Sequence, residues 1–496
     1  MQLSTTTDVL PAPRGAAGWR ARLDRPAVAG LIALAGWLAF AAARLAYWAH
    51  GQLSLFIEAG TKYSHPALMF PRVWHVRGSG YDGQFYYRFA FDPFNWHLTA
   101  FGVTIDHPYR YTRIGYPVAA WLLSGGGHGR LLPAALVAVN LLCVAAMAWL
   151  GGVLARDGGR HALWGLLFAA YFGLAVSVGR DTSEPIADAC LLGGLLAWRR
   201  ARYLLAAALL GYAAASNEPV LVVPVALAAV RLWQLGRRRV RPGRPDLAWL
   251  VPGLVYLMLQ LIQRVVVRGA AGGAADAAAN LTWPFQALVP GVYRDIHRVS
   301  FSQLGLYDYN LIEFLAITLF VAAGFAVIRA STAPAHERLA FAGFVLLELV
   351  IASGQFWDSV FGDGRTFVDV YVMAVVLLLA TPARIVTRRR LGWLAAAAVV
   401  VLVLVASRRV LAQLHAGDKL LHPFVDRTER VLAQHRPLRL VVQLEVHPVD
   451  GEVAALFLGP ADELAPQLGA GGLRRDGLGL EDLQVGGHPV DRAVPL

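Results

Sequence analysis

Long apolar runs, separated by short polar and basic segments, recur from residue 26 to residue 406 of the chain. A helix that crosses a membrane needs roughly 20 apolar residues, and most of these runs approach or reach that length. The pattern therefore predicts an all-α polytopic membrane protein with about eleven transmembrane helices. The predicted spans are 26–49, 129–155, 161–178, 183–198, 202–216, 219–235, 246–263, 308–329, 338–354, 367–381 and 391–406.

Two segments depart from this simple pattern. The run from Ile114 to Leu123 is too short to cross, and it predicts a half-helix or an interfacial element. As one helix, residues 202–235 would extend about 50 Å, whereas a hydrocarbon core is roughly 30 Å thick. The sequence Ser216-Asn217-Glu218-Pro219 predicts a break that divides this run into two helices.

The arginines predict which side of the membrane each loop occupies. Basic residues crowd the segment before the first run and then every second loop, which places the N-terminus in the cytoplasm. We therefore expect a cytoplasmic segment 1–25, a transmembrane domain 26–406 and a C-terminal tail 407–496 outside. The loops 50–113 and 264–307 are also placed outside. The tail is predicted to be a small mixed domain, with a strand over Leu438–Val446.

Composition supports this interpretation. Hydrophobic residues make up 57% of the chain and charged residues 16%, whereas soluble proteins carry about a quarter charged residues. The net charge of +12 is explained by arginines that orient the chain, so membrane lipids are predicted as partners and nucleic acid is not. Cys143 and Cys190 lie within apolar runs, which argues against a disulfide framework or a zinc site.

The acidic residues gather in the predicted outside loops or at the outer ends of spans. A carboxylate near a bilayer is unfavourable unless it faces water or a partner, so this distribution indicates a polar cavity that opens outward. For any single acid, helix capping or local pairing with arginine is an equally good explanation. The acids that we single out are Asp82, Asp106, Asp181, Glu184 and Glu218.

The first outside loop contains an acid in a setting that favours function. In Gly80-Tyr81-Asp82-Gly83-Gln84, the glycines are expected to leave Asp82 exposed and free to approach a ligand. Asp82 would also serve as the N-cap of a helix over residues 83–91. Aromatic residues are nearly consecutive from Phe85 to Trp96, and this density predicts short helices in the membrane interface.

A second segment, residues 106–117, combines basic and aromatic side chains at the predicted membrane edge. His107, Arg110 and Arg113, interleaved with tyrosines, suit an anionic group such as a phosphate. Simple anchoring to lipid phosphates is the alternative explanation.

These segments resemble the GT-C superfamily of membrane glycosyltransferases, which use sugars linked to polyprenyl phosphate. The resemblance rests on the string Tyr81–Arg88, on Tyr109–Pro117, and on Thr182–Ile186, which is similar to a Thr/Ser-Glu-Pro element of that superfamily. It covers roughly residues 26–380. Asn217 stands where many members have an arginine before the glutamate, which is a departure at Asn217-Glu218.

The resemblance implies a role for each matching residue. Asp82 would be the general base, and Arg365, in Gly362-Asp363-Gly364-Arg365, would contact the donor phosphate. Arg110, Arg113 and His107 are near in sequence and are predicted to bind the donor phosphate or sugar, as are Tyr81 and Gln84; for aromatic residues such as Tyr81, anchoring in the membrane interface is the alternative. The supporting acids would be Asp106, Glu184, Asp181 and Glu218.

No cofactor is required on this hypothesis, because arginines can carry the phosphate charge, although Asp106, Asp181 and Glu184 would also suit a divalent ion. The implied function is transfer of a sugar from a polyprenyl-phosphate donor to a cell-envelope acceptor, whether glycan, lipid or protein, on the outer face of the cell membrane. The alternative is a transporter or flippase for a lipid-linked or anionic solute, which would also use acids and arginines in a cavity. A non-catalytic scaffold for envelope assembly is a third class.

Overall fold

The computed structural model describes residues 21–70, 73–266, 281–298, 306–351 and 364–382, and most of these residues are helical. This confirms the predicted all-α class for the described part of the chain. The α-helices are α1 (Pro26–Tyr47), α2 (Gly83–Phe91), α3 (Gly115–Leu123), α4 (Leu132–Asp157), α5 (Gly173–Gly179), α6 (Glu184–Arg199), α7 (Tyr203–Ser216), α8 (Val222–Gly236), α9 (Leu247–Val266), α10 (Leu288–Arg298), α11 (Leu306–Ile328), α12 (Ala335–Leu349) and α13 (Val368–Leu379). The 3₁₀ helices are Leu53–Phe56, Pro66–Leu68, Pro108–Thr112, Ala162–Ala169, Glu218–Leu221 and Arg244–Asp246.

Four two-residue strands stabilise the first loop. They are β1 (Ala59–Gly60), β2 (His75–Val76), β3 (Thr99–Ala100) and β4 (Val103–Thr104). β1 pairs in parallel with β2, with Ala59 opposite His75, and β3 pairs antiparallel with β4. Ala59 also bridges to Gly80, so the chain just before α2 lies against β1.

Five helices of the described residues are long and apolar enough to cross a membrane. They are Pro26–Tyr47, Leu132–Asp157, Glu218–Gly236, Arg244–Val265 and Asn310–Ile328. Ala162–Ala169 and Gly173–Gly179 form a pair bent by 65°, which would be a sixth if it counts as one span. Large apolar side chains on these helices are exposed, among them Leu31, Leu142 and Leu257. Such surfaces are typical of proteins whose helices face lipid.

The structure therefore supports five or six spans by this criterion, and it does not support the predicted count of about eleven. The remaining predicted positions within the described residues carry shorter helices, such as α6, α7, α12 and α13. The 16 residues of α6 span about 24 Å, which is less than a hydrocarbon core of roughly 30 Å. Residues with non-helical backbone conformations limit the length of these helices. At Asn217, for example, the chain is extended between α7 and the next helix.

The main apolar core surrounds α4. The helix α1, the bent pair and α6 all pack against α4, while α6 packs on α7 and α11 packs on α13. A second apolar cluster lies beneath the first loop and contains Phe85, Tyr86, Tyr87 and Phe89 of α2. These four rings are buried inside the protein, where they pack against Tyr111 and other residues of that cluster. The location of this segment in the membrane interface stays a prediction.

Several predictions concern residues outside the described ranges. The eleventh predicted span 391–406, the tail 407–496 with its predicted strand, and most of the N-terminal segment 1–25 belong to this group.

The contact between the bent pair and α4 depends on two glycines and leads to a prediction. A methyl group on Gly165 would collide with the backbone of Gly152 and with the carbonyl of Ala148. Overpacking typically destabilises by about 1–3 kcal/mol, so Gly165→Ala should lower the melting temperature of the purified protein in detergent. Gly36→Ala on α1 is the control, because no heavy atom lies within 4 Å of its Cβ position. Equal melting temperatures for the two variants would contradict this packing.

Candidate functional site

Asp82 lies at the N-cap position of α2, where the preceding loop packs tightly on the chain before β1. The Tyr81 N–H donates to the carbonyl of Glu58 at 2.9 Å. A side chain on Gly80 would collide with the backbone of Gly60, and one on Gly83 with the carbonyl of Ile57. The two glycines therefore permit close packing of backbone. The expectation that they leave Asp82 exposed is wrong, since its side chain is only 16% exposed.

The Asp82 carboxylate makes no capping hydrogen bond to α2 and is held by two arginines instead. Arg110 donates from Nη1 to Oδ1 at 2.8 Å, and Arg365 donates from Nη1 to Oδ2, also at 2.8 Å. Arg110 uses its other two nitrogens on the carboxylate of Asp106, with Nη2 to Oδ2 at 2.9 Å. Its guanidinium also lies 3.9 Å from the ring centre of Phe85. Asp106 thus orients Arg110 toward Asp82.

Arg365 is oriented in a similar way by Glu184, the first residue of α6. Its Nε lies 3.2 Å from Oε1 of Glu184. The other oxygen of Glu184 accepts hydrogen bonds from Ser177, at 3.1 Å, and from Thr182. The Thr-Ser-Glu-Pro element singled out in the sequence therefore places Glu184 against Arg365.

These contacts form one continuous series of ion pairs, Asp106–Arg110–Asp82–Arg365–Glu184, which we call the ion-pair chain. Its five side chains are between 7% and 16% exposed. All five were predicted from the sequence as site residues, and the structure brings them together.

A second pair lies beside the ion-pair chain. Arg113 donates from Nε to Oε2 of Glu218 at 2.6 Å and from Nη2 to the other oxygen. The ring of Tyr109 lies near the guanidinium groups of both Arg110 and Arg113, with its centre 5.4 Å from the first and 5.1 Å from the second. Asn217 cannot supply the positive charge expected next to Glu218, and Arg113 of the first loop supplies it instead.

Two other predicted residues lie at the edge of this arrangement. The ring of Tyr81 has its centre 5.2 Å from the guanidinium of Arg365 and 4.4 Å from that of Arg180. His107 is exposed and stacks on Tyr109, so it lies on the outer rim of the site.

Two predicted residues are not brought into the ion-pair chain. Gln84 is completely buried, and its amide is used by the loop: Oε1 accepts from the Gly60 N–H at 3.0 Å, while Nε2 donates to carbonyls of Ser79 and Tyr81. The predicted contact of Gln84 with a donor sugar is therefore replaced by a structural role. Asp181 is also fully buried, near Arg44.

The sequence interpretation missed a third ion pair behind Tyr81. Arg180 Nε lies 3.0 Å from Oε2 of Glu58. Glu58 lies in a loop with no motif around it, and only the folded chain reveals its partner. The packing of Tyr81 on Arg180 connects this pair to the site.

Burial and nearby charges have opposite effects on the pKa of Asp82. Burial, the largest single effect, raises the pKa of Asp82, but the charges of Arg110, Arg365 and Arg113 together outweigh it and lower that pKa well below its ordinary value. Burial lowers the pKa of Arg110 and of Arg365, but nearby groups outweigh it and raise both values. Asp82 has the largest raising effect on Arg110, and Tyr81, then Glu184 and then Asp82 raise the pKa of Arg365. The pKa of Asp181 is raised by burial, only partly offset by Arg44. Asp82 is thus ionised and a weak base while both arginines hold it.

The arrangement can bind an anion through guanidinium groups and present a carboxylate beside it. Within the described residues, no group of three or more His, Cys, Asp or Glu side chains is placed to hold a metal ion. A groove of about 440 Å³ lined by His161, Trp164 and neighbouring apolar residues lies on the bent pair, and it contains none of the ion-pair residues.

Comparisons with known proteins add no assignment: no protein-family model matches the chain, and no curated protein or solved structure matches it either.

The lowered pKa of Asp82 predicts how its contribution to stability depends on pH. An unfolded aspartate has a pKa of about 3.9, and the folded value is lower. The ion pairs should therefore stabilise the protein fully above about pH 4, and this stabilisation should be lost as the pH falls below that value. Thermal melting of wild type and Asp82→Asn should differ by a constant amount between about pH 5 and pH 7. A difference that changes between about pH 7 and pH 5 would show that the pKa of Asp82 is raised, and a difference that stays constant below about pH 4 would show that it is not lowered.

Proposed function

We propose that the chain is an integral-membrane glycosyltransferase that moves a sugar from a polyprenyl-phosphate donor to an acceptor of the cell envelope. The observation that carries this proposal is that Asp82 pairs with two arginines. Each of these arginines also pairs with a second carboxylate, Arg110 with Asp106 and Arg365 with Glu184. A base and two cationic groups within one small site match the needs of this reaction. The similarity of Tyr81–Arg88 and Thr182–Ile186 to GT-C enzymes points to the same class.

The reaction assigns a separate task to each kind of group. Asp82 accepts the proton of an acceptor hydroxyl as its oxygen forms a bond to the anomeric carbon of the sugar. The bond between that carbon and the phosphate oxygen breaks, and polyprenyl phosphate leaves with the electron pair. Arg110 and Arg365 stabilise the negative charge that develops on the leaving phosphate.

The charges of the ion-pair chain indicate how the donor enters. Without a ligand, two guanidinium groups face three carboxylates, so a phosphate has no surplus positive charge to bind. The donor phosphate must therefore replace the Asp82 carboxylate as a partner of Arg110 or Arg365. The ion pairs with Asp106 and Glu184 keep Arg110 and Arg365 in position during this exchange. Release from an arginine also raises the pKa of Asp82 toward its ordinary value and makes it a better base. Donor binding thus activates the base.

We further propose that the site opens on the outer face of the cell membrane, with the N-terminus in the cytoplasm and about eleven spans, counting the shorter apolar helices. The ordering of charges along the helices supports this orientation. Glu184 and Arg365 lie at or just before the first residues of α6 and α13, whereas the pairs Arg199–Glu337 and Arg200–Asp157 lie at the other end of α6. The predicted partners are the lipid-linked sugar, an envelope glycan, lipid or protein acceptor, and membrane lipids.

Transport of a lipid-linked or anionic solute is the second candidate function. Asp188 on α6, Glu348 on α12 and Asp369 on α13 are all buried. Asp188 and Asp369 follow Glu184 and Arg365 by four residues, or about one helical turn, and Glu348 lies near Asp369. Carboxyl groups buried among membrane helices are often part of proton or ion pathways. The two functions differ in product, because a transporter moves its solute without breaking the bond between sugar and phosphate.

Substitution of Asp82 tests the proposed function directly. Asp82→Asn should reduce release of polyprenyl phosphate from a polyprenyl-phosphate-linked hexose or pentose by about 100-fold or more, because a general base typically contributes 10² to 10⁴. The assay uses the purified protein in vesicles with cell-envelope extract as the source of acceptor.

Asp157→Asn is the matched control, since Asp157 is 46% exposed and pairs with Arg200 away from the site; it should retain wild-type turnover. Near-normal turnover of Asp82→Asn would exclude Asp82 as the base. A wild-type protein that moves lipid-linked sugar across the vesicle but releases no polyprenyl phosphate would favour the transporter.

A further inference from the structure

The segment from Leu281 to Arg298, which contains α10, is held in a defined place beside the transmembrane helices. The Thr282 N–H donates to the carbonyl of Val350 at 2.7 Å, and the Phe285 N–H donates to that of Leu349 at 2.9 Å. α10 then packs against α11. Although this segment lies between two stretches outside the described residues, its own position relative to α11 and α12 is fixed by these contacts.

α10 presents different chemistry on its different sides. Gly291 and Asp295, one turn apart, are buried. Val289, Tyr293 and Ile296 are 60%, 63% and 51% exposed, and their spacing of four and three residues places them in one stripe along the helix. Of the basic residues of the helix, Arg294 and Arg298 lie away from this stripe, whereas His297 follows Tyr293 by one turn, with the two ring centres 3.9 Å apart.

The apolar surface continues into the turn that precedes the helix. Trp283 is 82% exposed and Phe285 is 51% exposed. Two exposed aromatic rings followed by an exposed apolar stripe make an unusual surface for contact with water. We call the side chains of Trp283, Phe285, Val289, Tyr293 and Ile296 the α10 apolar face.

We propose that the α10 apolar face lies in the interface of a lipid bilayer, with α10 parallel to the membrane plane. The 11 residues of α10 extend about 16 Å, which is too short to cross a hydrocarbon core of roughly 30 Å. Short helices with an apolar stripe and a basic side are typical of membrane surfaces. Tryptophan and tyrosine are also the residues that prefer the boundary between lipid and water.

The neighbouring helices favour lipid over a protein partner as the occupant of this surface. The helix before α10 in the chain, α9, exposes Leu257, Met258 and Leu261. The helix after it, α11, exposes Leu315 and Phe325. Both α9 and α11 coincide with candidate spans, so their exposed apolar side chains face lipid. Since α10 packs on α11, we place its apolar face on the same lipid-facing surface.

This placement also has a consequence for the candidate site. A side chain on Gly364 would collide with the Glu313 carboxylate of α11, so α11 contacts the residue next to Arg365. A membrane-bound α10 would therefore determine, through α11, the depth at which Arg365 lies relative to the lipid headgroups. The placement of α10 itself does not depend on the proposed transfer reaction.

Site-directed spin labelling tests the location of α10. Single cysteines are introduced at Val289, Tyr293, Ile296 and Arg298 in a full-length chain whose Cys143 and Cys190 are replaced by alanine. Each labelled protein is reconstituted in vesicles of phosphatidylcholine with phosphatidylglycerol. Labels at Val289, Tyr293 and Ile296 should collide more often with oxygen, which partitions into lipid, than with a water-soluble nickel chelate. Arg298, which is exposed and lies on the side of the helix away from the stripe, is the control on the same helix and should show the opposite preference.

Two outcomes would overturn the proposal. Equal exposure of all four labels to the nickel chelate would place α10 in water. Shielding of the three apolar positions from both reagents would indicate that a protein partner or a second copy of the chain covers this face. Oxidative footprinting of the unsubstituted protein in nanodiscs provides a second measurement, in which Trp283 and Tyr293 should be protected from water-derived radicals; strong oxidation of both would contradict a membrane location.

Discussion

Two arginines share the carboxylate of Asp82, and the organisation of the site depends on this interaction. The ion pair between Asp82 and Arg365 joins residues that are 283 positions apart in the sequence. Burying a single charge is very unfavourable, and burying a complete series of paired charges is much less so. The ion-pair chain therefore requires the first loop, the start of α6 and the segment before α13 to meet at one place.

The same interaction gives the site two opposing properties. Arg110 and Arg365 keep Asp82 ionised and correctly placed, but they also make it a weak base by lowering its pKa. In the proposed reaction, the donor phosphate takes over one of these arginines, which binds the phosphate to a cation and frees the carboxylate in one step. On this account the donor completes the catalytic arrangement, and a site without donor stays inactive toward hydroxyl groups.

The sequence allowed prediction of those features that local patterns determine. Apolar runs located the helices, and the break at Asn217 followed from Asn-Glu-Pro; Asp82, Glu184 and Arg365 were recognised within short motifs. Pairings over long distances in sequence could not be predicted, and Arg113 with Glu218 is the clearest case. Gln84 was misassigned because its motif gave no sign that the loop backbone would bind its amide. Fewer of the described helices reach the length of a span than the predicted count, because hydropathy does not reveal how bends and extended residues shorten a helix.

The central claim is that a donor phosphate and Asp82 compete for the same arginines, and binding of polyprenyl monophosphate in the absence of acceptor tests it most directly. Asp82→Asn should bind this probe about tenfold more tightly than wild type, a difference of about 1.4 kcal/mol, whereas Arg365→Gln should bind it more weakly. Glu337→Gln, which breaks the pair with Arg199 at the other end of α6, should leave the affinity unchanged. If wild type binds the probe and Asp82→Asn binds it no more tightly, the competition does not exist; if no form of the protein binds it, the proposed transferase function is wrong.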